Sequence, residues 1–167
     1  SDATSRQGID HTIVDCDIHT SYRTKEIRQK IAKRLEEPYR SHLLDETLNY
    51  GPYPRDSFPK EPVGESNYTE SSVVGGPDDI RRDLMGGMGI DMVVLNSLQK
   101  FDLIPSTERA TREMRAVNDV FIEHFLDSQE DFYGLAMLST KDPAAAADEL
   151  DRLGGEKQIV GALMLNG

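Results

Sequence analysis

Residues 132–165 read FYGLAMLSTKDPAAAADELDRLGGEKQIVGALML, a pattern of strand, helix and strand in direct succession. The two outer segments, Phe132 to Leu138 and Ile159 to Leu165, are almost wholly apolar, which is typical of strands covered on both faces of a parallel sheet. Between them, Asp142-Pro143 is a typical helix start, with the aspartate as N-cap and the proline at the first helical position. Gly154-Gly155 is a typical helix end. This stretch predicts a βαβ unit.

The same alternation extends toward the amino terminus. Apolar runs at Thr12 to Asp17 and at Met92 to Leu95 predict two earlier strands that are also covered on both faces. Two helices are predicted from apolar side chains that recur at helical spacing: Ile80, Leu84 and Met88 after Pro77, and then Ala110, Met114, Val117, Phe121 and Phe125. Alternating strands and helices predict an α/β fold with a parallel sheet and right-handed crossovers.

Four strand–helix units without the last helix correspond to half of a (β/α)8 TIM barrel, which typically needs about 250 residues. We therefore expect residues 1–167 to be a single domain, the N-terminal half of such a barrel, in a chain that continues beyond Gly167. Residues 20–76 are rich in proline and turn residues and predict a long loop-rich insertion after the first strand. In a barrel this insertion would lie over the active face as a lid or a dimer contact, with a plain surface loop as the alternative.

Composition limits the partners of this chain. It has 30 Asp and Glu against 19 Lys and Arg, with a formal net charge of -11. This charge disfavours nucleic acid and anionic membranes, which bind clustered Lys and Arg. The chain has no apolar run approaching the roughly 18–20 residues of a membrane span and no secretory signal pattern. We expect a cytoplasmic protein that acts on a small-molecule substrate.

The densest polar cluster lies at the end of the first predicted strand, at Asp15-Cys16-Asp17-Ile18-His19. Side chains two apart on a strand point to the same side, so Asp15, Asp17 and His19 are expected in one row. A carboxylate oxygen and an imidazole nitrogen at the carboxyl end of a barrel strand can bind one divalent cation. Asp17 and His19 are therefore the predicted metal ligands, with zinc expected and manganese or iron as alternatives. The competing interpretation is an exposed turn with solvated charges.

A catalytic zinc site needs three protein ligands plus water, so two residues leave the site incomplete. The other histidines are expected elsewhere: His11 in solvent, His42 on the surface of the insertion and His124 on a helix surface or in packing. Cys16 is expected to be a small buried hydrophobe that faces away from the ligands. The remaining ligands are therefore expected beyond Gly167.

Polar residues also follow the later strands, at Asn96-Ser97, Ser139-Thr140 and Asn166. The carboxyl ends of barrel strands form the functional face, so these residues can line a pocket. Ordinary turn and capping chemistry accounts for Ser139-Thr140, which precede the Asp142 cap. Asn96 is the predicted substrate-binding residue.

Several segments resemble the amidohydrolase-related family, the branch of the amidohydrolase superfamily that includes aminocarboxymuconate-semialdehyde decarboxylase. Together they span nearly the whole chain in the family's order: Ile13 to His19, Glu37 to Leu43, Tyr53-Pro54-Arg55, Gly75-Gly76-Pro77, Val94-Leu95-Asn96, Asn118-Asp119, Phe132 to Leu138 and Asp142 to Ala147. The resemblance implies a metal-dependent TIM-barrel enzyme. It also implies that Asp17 takes the first position of the family's His-x-His motif, with a later-strand His and a last-strand Asp beyond Gly167.

Three functions are compatible with these patterns. The leading one is a metal-dependent hydrolase, in which the cation lowers the pKa of its bound water toward about 7. The alternative within the family is a nonoxidative decarboxylase of an aromatic or unsaturated carboxylic acid. The third is a non-catalytic half-barrel that serves binding or assembly. A homo-oligomer is expected in each case, because an incomplete barrel leaves apolar surface to cover.

Overall fold

The computed structural model describes residues 11–20, 25–45, 76–97, 99, 101–127 and 129–164. Four strands form one sheet in which each strand is parallel to its neighbours and the order follows the chain. They are β1 (Val14–His19), β2 (Met92–Asn96), β3 (Phe132–Leu138) and β4 (Ile159–Met164). The predicted α/β fold with four parallel strands is confirmed, and the sheet is compatible with half of a TIM barrel.

Helical segments separate the strands as predicted. They are α1 (Lys25–Lys33), α2 (Tyr39–Leu44), α3 (Pro77–Asp79, continued by a π-helix Ile80–Gly86), a 3-10 turn (Phe101–Leu103), α4 (Thr107–Phe121, continued by a π-helical turn Ile122–Leu126) and α5 (Pro143–Leu153). In the described part of the chain, no helix is long and apolar enough to cross a membrane.

Side-chain caps fix where the two long helices begin. Ser106 accepts a hydrogen bond from the backbone N–H of Arg109 at the start of α4. Asp142 does the same for Ala145 at the start of α5, where Pro143 is the first helical residue. A capping oxygen satisfies an N–H that has no partner within the helix. The predicted start of α5 is therefore confirmed.

The hydrophobic core lies between the sheet and the helices, and α4 contributes most to it. All five side chains of the predicted α4 stripe are buried, at 2% exposure or less. Only part of the predicted apolar face of the preceding helix is buried. Ile80 is buried, whereas Met88 is 71% exposed. The segment between them is a π-helix, whose i to i+5 hydrogen bonds change the angular spacing of side chains.

The predicted loop-rich insertion, residues 20–76, contains two helices in its described part. Ile27 and Ile31 of α1 lie one turn apart and, with Leu35, are buried in the core. This apolar spacing is the sequence signal for α1. Residues 21–24 and 46–75 of the insertion lie outside the described residues, so its role as a lid or a dimer contact stays a prediction.

The two edge strands of the described sheet, β1 and β4, are more exposed than their apolar sequences predict. β1 and β4 lie at the edges of the described sheet. Val14 is 43% exposed, Val160 54% and Met164 60%. The expectation that all four strands are covered on both faces is therefore wrong for the edge strands within the described part of the chain.

Two polar side chains hold the carboxyl half of β3. Asn118 of α4 accepts the N–H of Met137 at 2.9 Å and donates to its carbonyl at 3.0 Å, while donating also to the buried Glu149 at 2.8 Å. Asp102 accepts hydrogen bonds from Ser139 Oγ at 2.8 Å and from the backbone N–H of Thr140 at 2.9 Å. These contacts fix the loops at the carboxyl edge of the sheet.

Candidate metal-binding site

The candidate site lies where β1 and β2 end side by side. His19 and Asn96 are partners in the parallel register, so the two strands deliver their last side chains to the same place. His19 Nε2 lies 3.0 Å from Asp17 Oδ1, and Asn96 Nδ2 donates a hydrogen bond to the same oxygen at 3.0 Å. The structure therefore brings together all three residues that the sequence predicts for the site.

Asp17 is an ionised and accessible carboxylate. The hydrogen bond from Asn96 and the neighbouring His19 hold the pKa of Asp17 below its usual value. The side chain of Asp17 is 78% exposed and that of His19 48%. An ionised carboxylate beside an accessible imidazole is a pair of groups that divalent cations bind.

Asn96 differs from its two neighbours because it is buried, at 3% exposure. Its Nδ2 faces Asp17, and its Oδ1 has no hydrogen-bond partner among the described residues. A buried acceptor without a partner costs on the order of 1–3 kcal/mol. Such an unpaired atom next to a carboxylate and an imidazole is expected at a functional site.

An irregularity in β1 changes the predicted row of polar residues. The register shifts between Asp15 and Ile18, so Asp15 pairs with Val93 and Ile18 with Leu95. The simple two-residue alternation is therefore interrupted after Asp15, which accepts the N–H of Asp17 at 3.1 Å instead of joining the row.

Cys16 is also affected by this irregularity. It is exposed, so the prediction of a buried cysteine is wrong. The physical reason is that, within the described residues, the edge position and the shifted register of β1 leave this side chain uncovered.

Two other polar candidates, His124 and Ser139, have partners outside this site. His124 contacts Lys30 at 3.0 Å and lies edge-on to Phe125. Ser139 donates to Asp102. The role of Asp102 in holding this loop was not predicted, although a carboxylate shortly after a strand is a signal for such a role. Asn166 lies outside the described residues.

The donor set of the site fits part of a divalent metal centre. Within the described residues, no group of three or more His, Cys, Asp and Glu side chains is placed to hold a metal ion. Asp17 and His19 supply one oxygen and one nitrogen, whereas a catalytic zinc normally has three protein ligands. These two residues therefore fit as a pair of ligands that requires at least one more.

Comparison with known proteins adds an independent finding. The chain is 38% identical over 87 residues to gamma-resorcylate decarboxylase of Rhodococcus jostii (strain RHA1), which covers 52% of this chain and 26% of the relative. It is 33% identical over 87 residues to gamma-resorcylate decarboxylases of Rhizobium sp. (strain MTP-10005) and Rhizobium radiobacter, in each case over 27% of the relative. These similarities support the amidohydrolase superfamily.

The matched stretch is short in relation to the relatives. The chain spans about a quarter of the length of the curated relatives that it matches, at 26% and 27%. No family model matches the chain. The comparisons thus support an enzyme superfamily and leave the activity of this chain to be proposed.

Proposed function

We propose that this chain forms part of a metal-dependent nonoxidative decarboxylase of an aromatic carboxylic acid. The observation that carries the proposal is the 38% identity to a gamma-resorcylate decarboxylase. The candidate site supports it, because Asp17, His19 and Asn96 converge at the carboxyl ends of parallel strands. In barrel enzymes that end of the sheet is the functional face.

Asp17 and His19 are the proposed metal ligands in this reading. Zinc is the expected ion, with manganese or iron as alternatives, and a bound divalent cation would polarise and orient substrate oxygens. Asp17 contributes an oxygen of an ionised carboxylate, and His19 contributes an imidazole nitrogen. Further ligands are expected from residues beyond Gly167, where we propose that the barrel continues as the same single domain.

Asn96 is the proposed substrate-binding residue. Its Oδ1 is an acceptor without a partner among the described residues, and it lies beside the proposed ligands. Such an oxygen would accept a hydrogen bond from a hydroxyl group of the substrate. The reaction itself breaks the bond between the ring carbon and the carboxyl group and releases CO2. The electron pair of that bond stays on the ring carbon, which then binds a proton.

We favour a decarboxylase over a hydrolase, which the sequence alone favours. The relatives bear the name of a decarboxylase, whereas the contacts of Asp17 and His19 are compatible with either chemistry. A homo-oligomeric assembly and a cytoplasmic location stay predictions.

The test uses the full-length product of the native gene with zinc or manganese added. We expect CO2 release from gamma-resorcylate or another hydroxybenzoic acid, and no cleavage of amide or ester substrates. Asp17→Ala and His19→Ala should each lose bound metal, measured by elemental analysis, and lose CO2 release with it, because each removes one ligand.

His11→Ala is the matched control, since His11 is exposed and precedes β1. It should keep both metal content and activity. Cleavage of amides or esters without CO2 release would overturn the decarboxylase in favour of a hydrolase. Unchanged metal content in Asp17→Ala and His19→Ala would instead favour a non-catalytic half-barrel.

A further inference from the structure

We propose that Asn96 is a positioning residue that fixes the orientation of the Asp17 carboxylate for metal binding. The inference rests on the proposed function, because it takes Asp17 as a ligand. Beyond the proposed function, the amide N–H of Asn96 has a role that is separate from substrate contact.

The geometry determines which way the Asn96 amide faces. An ionised carboxylate only accepts hydrogen bonds, so the NH2 group of Asn96 must point toward Asp17 Oδ1, 3.0 Å away. This choice leaves Oδ1 of Asn96 buried and without a partner among the described residues. The amide therefore keeps one contact with Asp17 at the expense of an unpaired oxygen.

Asn96 itself is held firmly by the sheet. Its backbone carbonyl accepts the N–H of Thr20 at 2.8 Å and the hydroxyl of Thr20 at 3.3 Å. It is the last residue of β2 and is 3% exposed, whereas the side chain of Asp17 is 78% exposed. A fixed buried donor thus restrains a carboxylate that would otherwise rotate in solvent.

The restraint acts on one oxygen of Asp17. Both described side-chain contacts of this carboxylate, from Asn96 and from His19, go to Oδ1. Hydrogen bonds that orient metal ligands typically change metal affinity by about 10–100-fold.

The test is Asn96→Leu in the full-length product of the native gene. Leucine has a similar volume but no N–H group, and it also removes the unpaired oxygen. We expect zinc and manganese affinities, measured by competition with a chromophoric chelator, to fall by about 10–100-fold. The visible spectrum of bound Co²⁺ should change, and the midpoint of thermal unfolding without metal should stay close to that of the unchanged protein.

Asn118→Leu is the matched control, because Asn118 is equally buried but binds the backbone of β3. It should lower the unfolding midpoint and leave metal affinity unchanged. If leucine prevents folding at position 96, Asn96→Ala serves as the second variant, with the same loss of affinity expected.

The outcomes separate this inference from the proposed function. Full metal affinity in both Asn96→Leu and Asn96→Ala, together with metal loss in Asp17→Ala, would overturn the positioning role and leave the decarboxylase proposal standing. Full metal affinity in Asp17→Ala as well would overturn both. A weaker affinity in the Asn96 variants together with an unchanged Asn118→Leu supports the positioning role.

Discussion

At the scale of single residues, Gly134 shows how closely α4 approaches the sheet. A Cβ atom at this position of β3 would lie 2.3 Å from Cε1 and 2.5 Å from Cζ of Phe121. Phe121 is 1% exposed and cannot move into solvent. The absence of a side chain at Gly134 therefore allows the helix to pack on the strand.

We predict that Gly134→Ala destabilises the protein. The added methyl group overlaps a buried ring, so packing must shift, at a cost of about 1–3 kcal/mol. The measurement is the free energy of unfolding from urea titration. Gly155→Ala is the control, because a Cβ there would meet no atom within 4 Å among the described residues. Equal stabilities of the two variants would contradict the prediction.

The residues of the candidate site show what local sequence could predict. Asp17 and His19 lie two apart on one strand, and their contact follows from strand geometry. The exposure of Cys16 and the separate position of Asp15 were not predictable, because they depend on a register shift against β2. The two-residue period of side chains along a strand contains no information about a register shift between two strands.

At the scale of elements, α4 contains a buried ion pair whose arginine also contacts α2. Arg109 contacts Glu113 one turn later, and both side chains are less than a tenth exposed. Arg109 also donates to the carbonyl of His42 in α2 at 3.4 Å. Burial raises the pKa of Glu113 even though Arg109 acts in the opposite direction.

This raised pKa predicts a pH dependence of stability. The folded state holds the proton of Glu113 more tightly than the unfolded state, whose pKa is near 4.5. The contribution of Glu113 to the free energy of unfolding should therefore fall as pH rises from about 4.5 through the raised folded value. We expect the stability of the unchanged protein minus that of Glu113→Gln to decrease as the pH rises above about 4.5.

Glu108→Gln on the same helix is the matched control for this pH series. Hydrogen bonds from Tyr39 and Arg112 lower the pKa of Glu108. Its stabilising contribution should be present above about pH 4.5 and lost as pH falls, which is the opposite slope. Urea unfolding across the pH range measures both differences, and slopes of the same sign would contradict the assignment.

At the scale of the whole molecule, the described sheet has an exposed apolar edge. β4 is an outer strand, and Val160 and Met164 on it are 54% and 60% exposed. An outer strand presents unpaired backbone groups on which a second chain can pair. In the isolated 167-residue chain, this edge can therefore pair with a second copy.

We predict that the isolated 167-residue chain self-associates through β4. Light scattering should give a mass that rises with concentration, and Val160→Lys with Met164→Lys should return it to the 18.7 kDa of one chain. Charged side chains on an edge strand oppose pairing. Met88→Lys is the control, since Met88 is 71% exposed but lies outside the sheet. A monomer at every concentration would contradict the prediction.

The sequence by itself determined the order of strands and long helices and the pairing of Asp17 with His19. Apolar periodicity, N-caps and the two-residue repeat of a strand depend only on residues close in the chain. The tertiary structure alone decided that Asn96 donates to Asp17, 79 residues away, and that Gly134 receives Phe121. Such contacts depend on the register between strands and on helix packing, which no local pattern specifies.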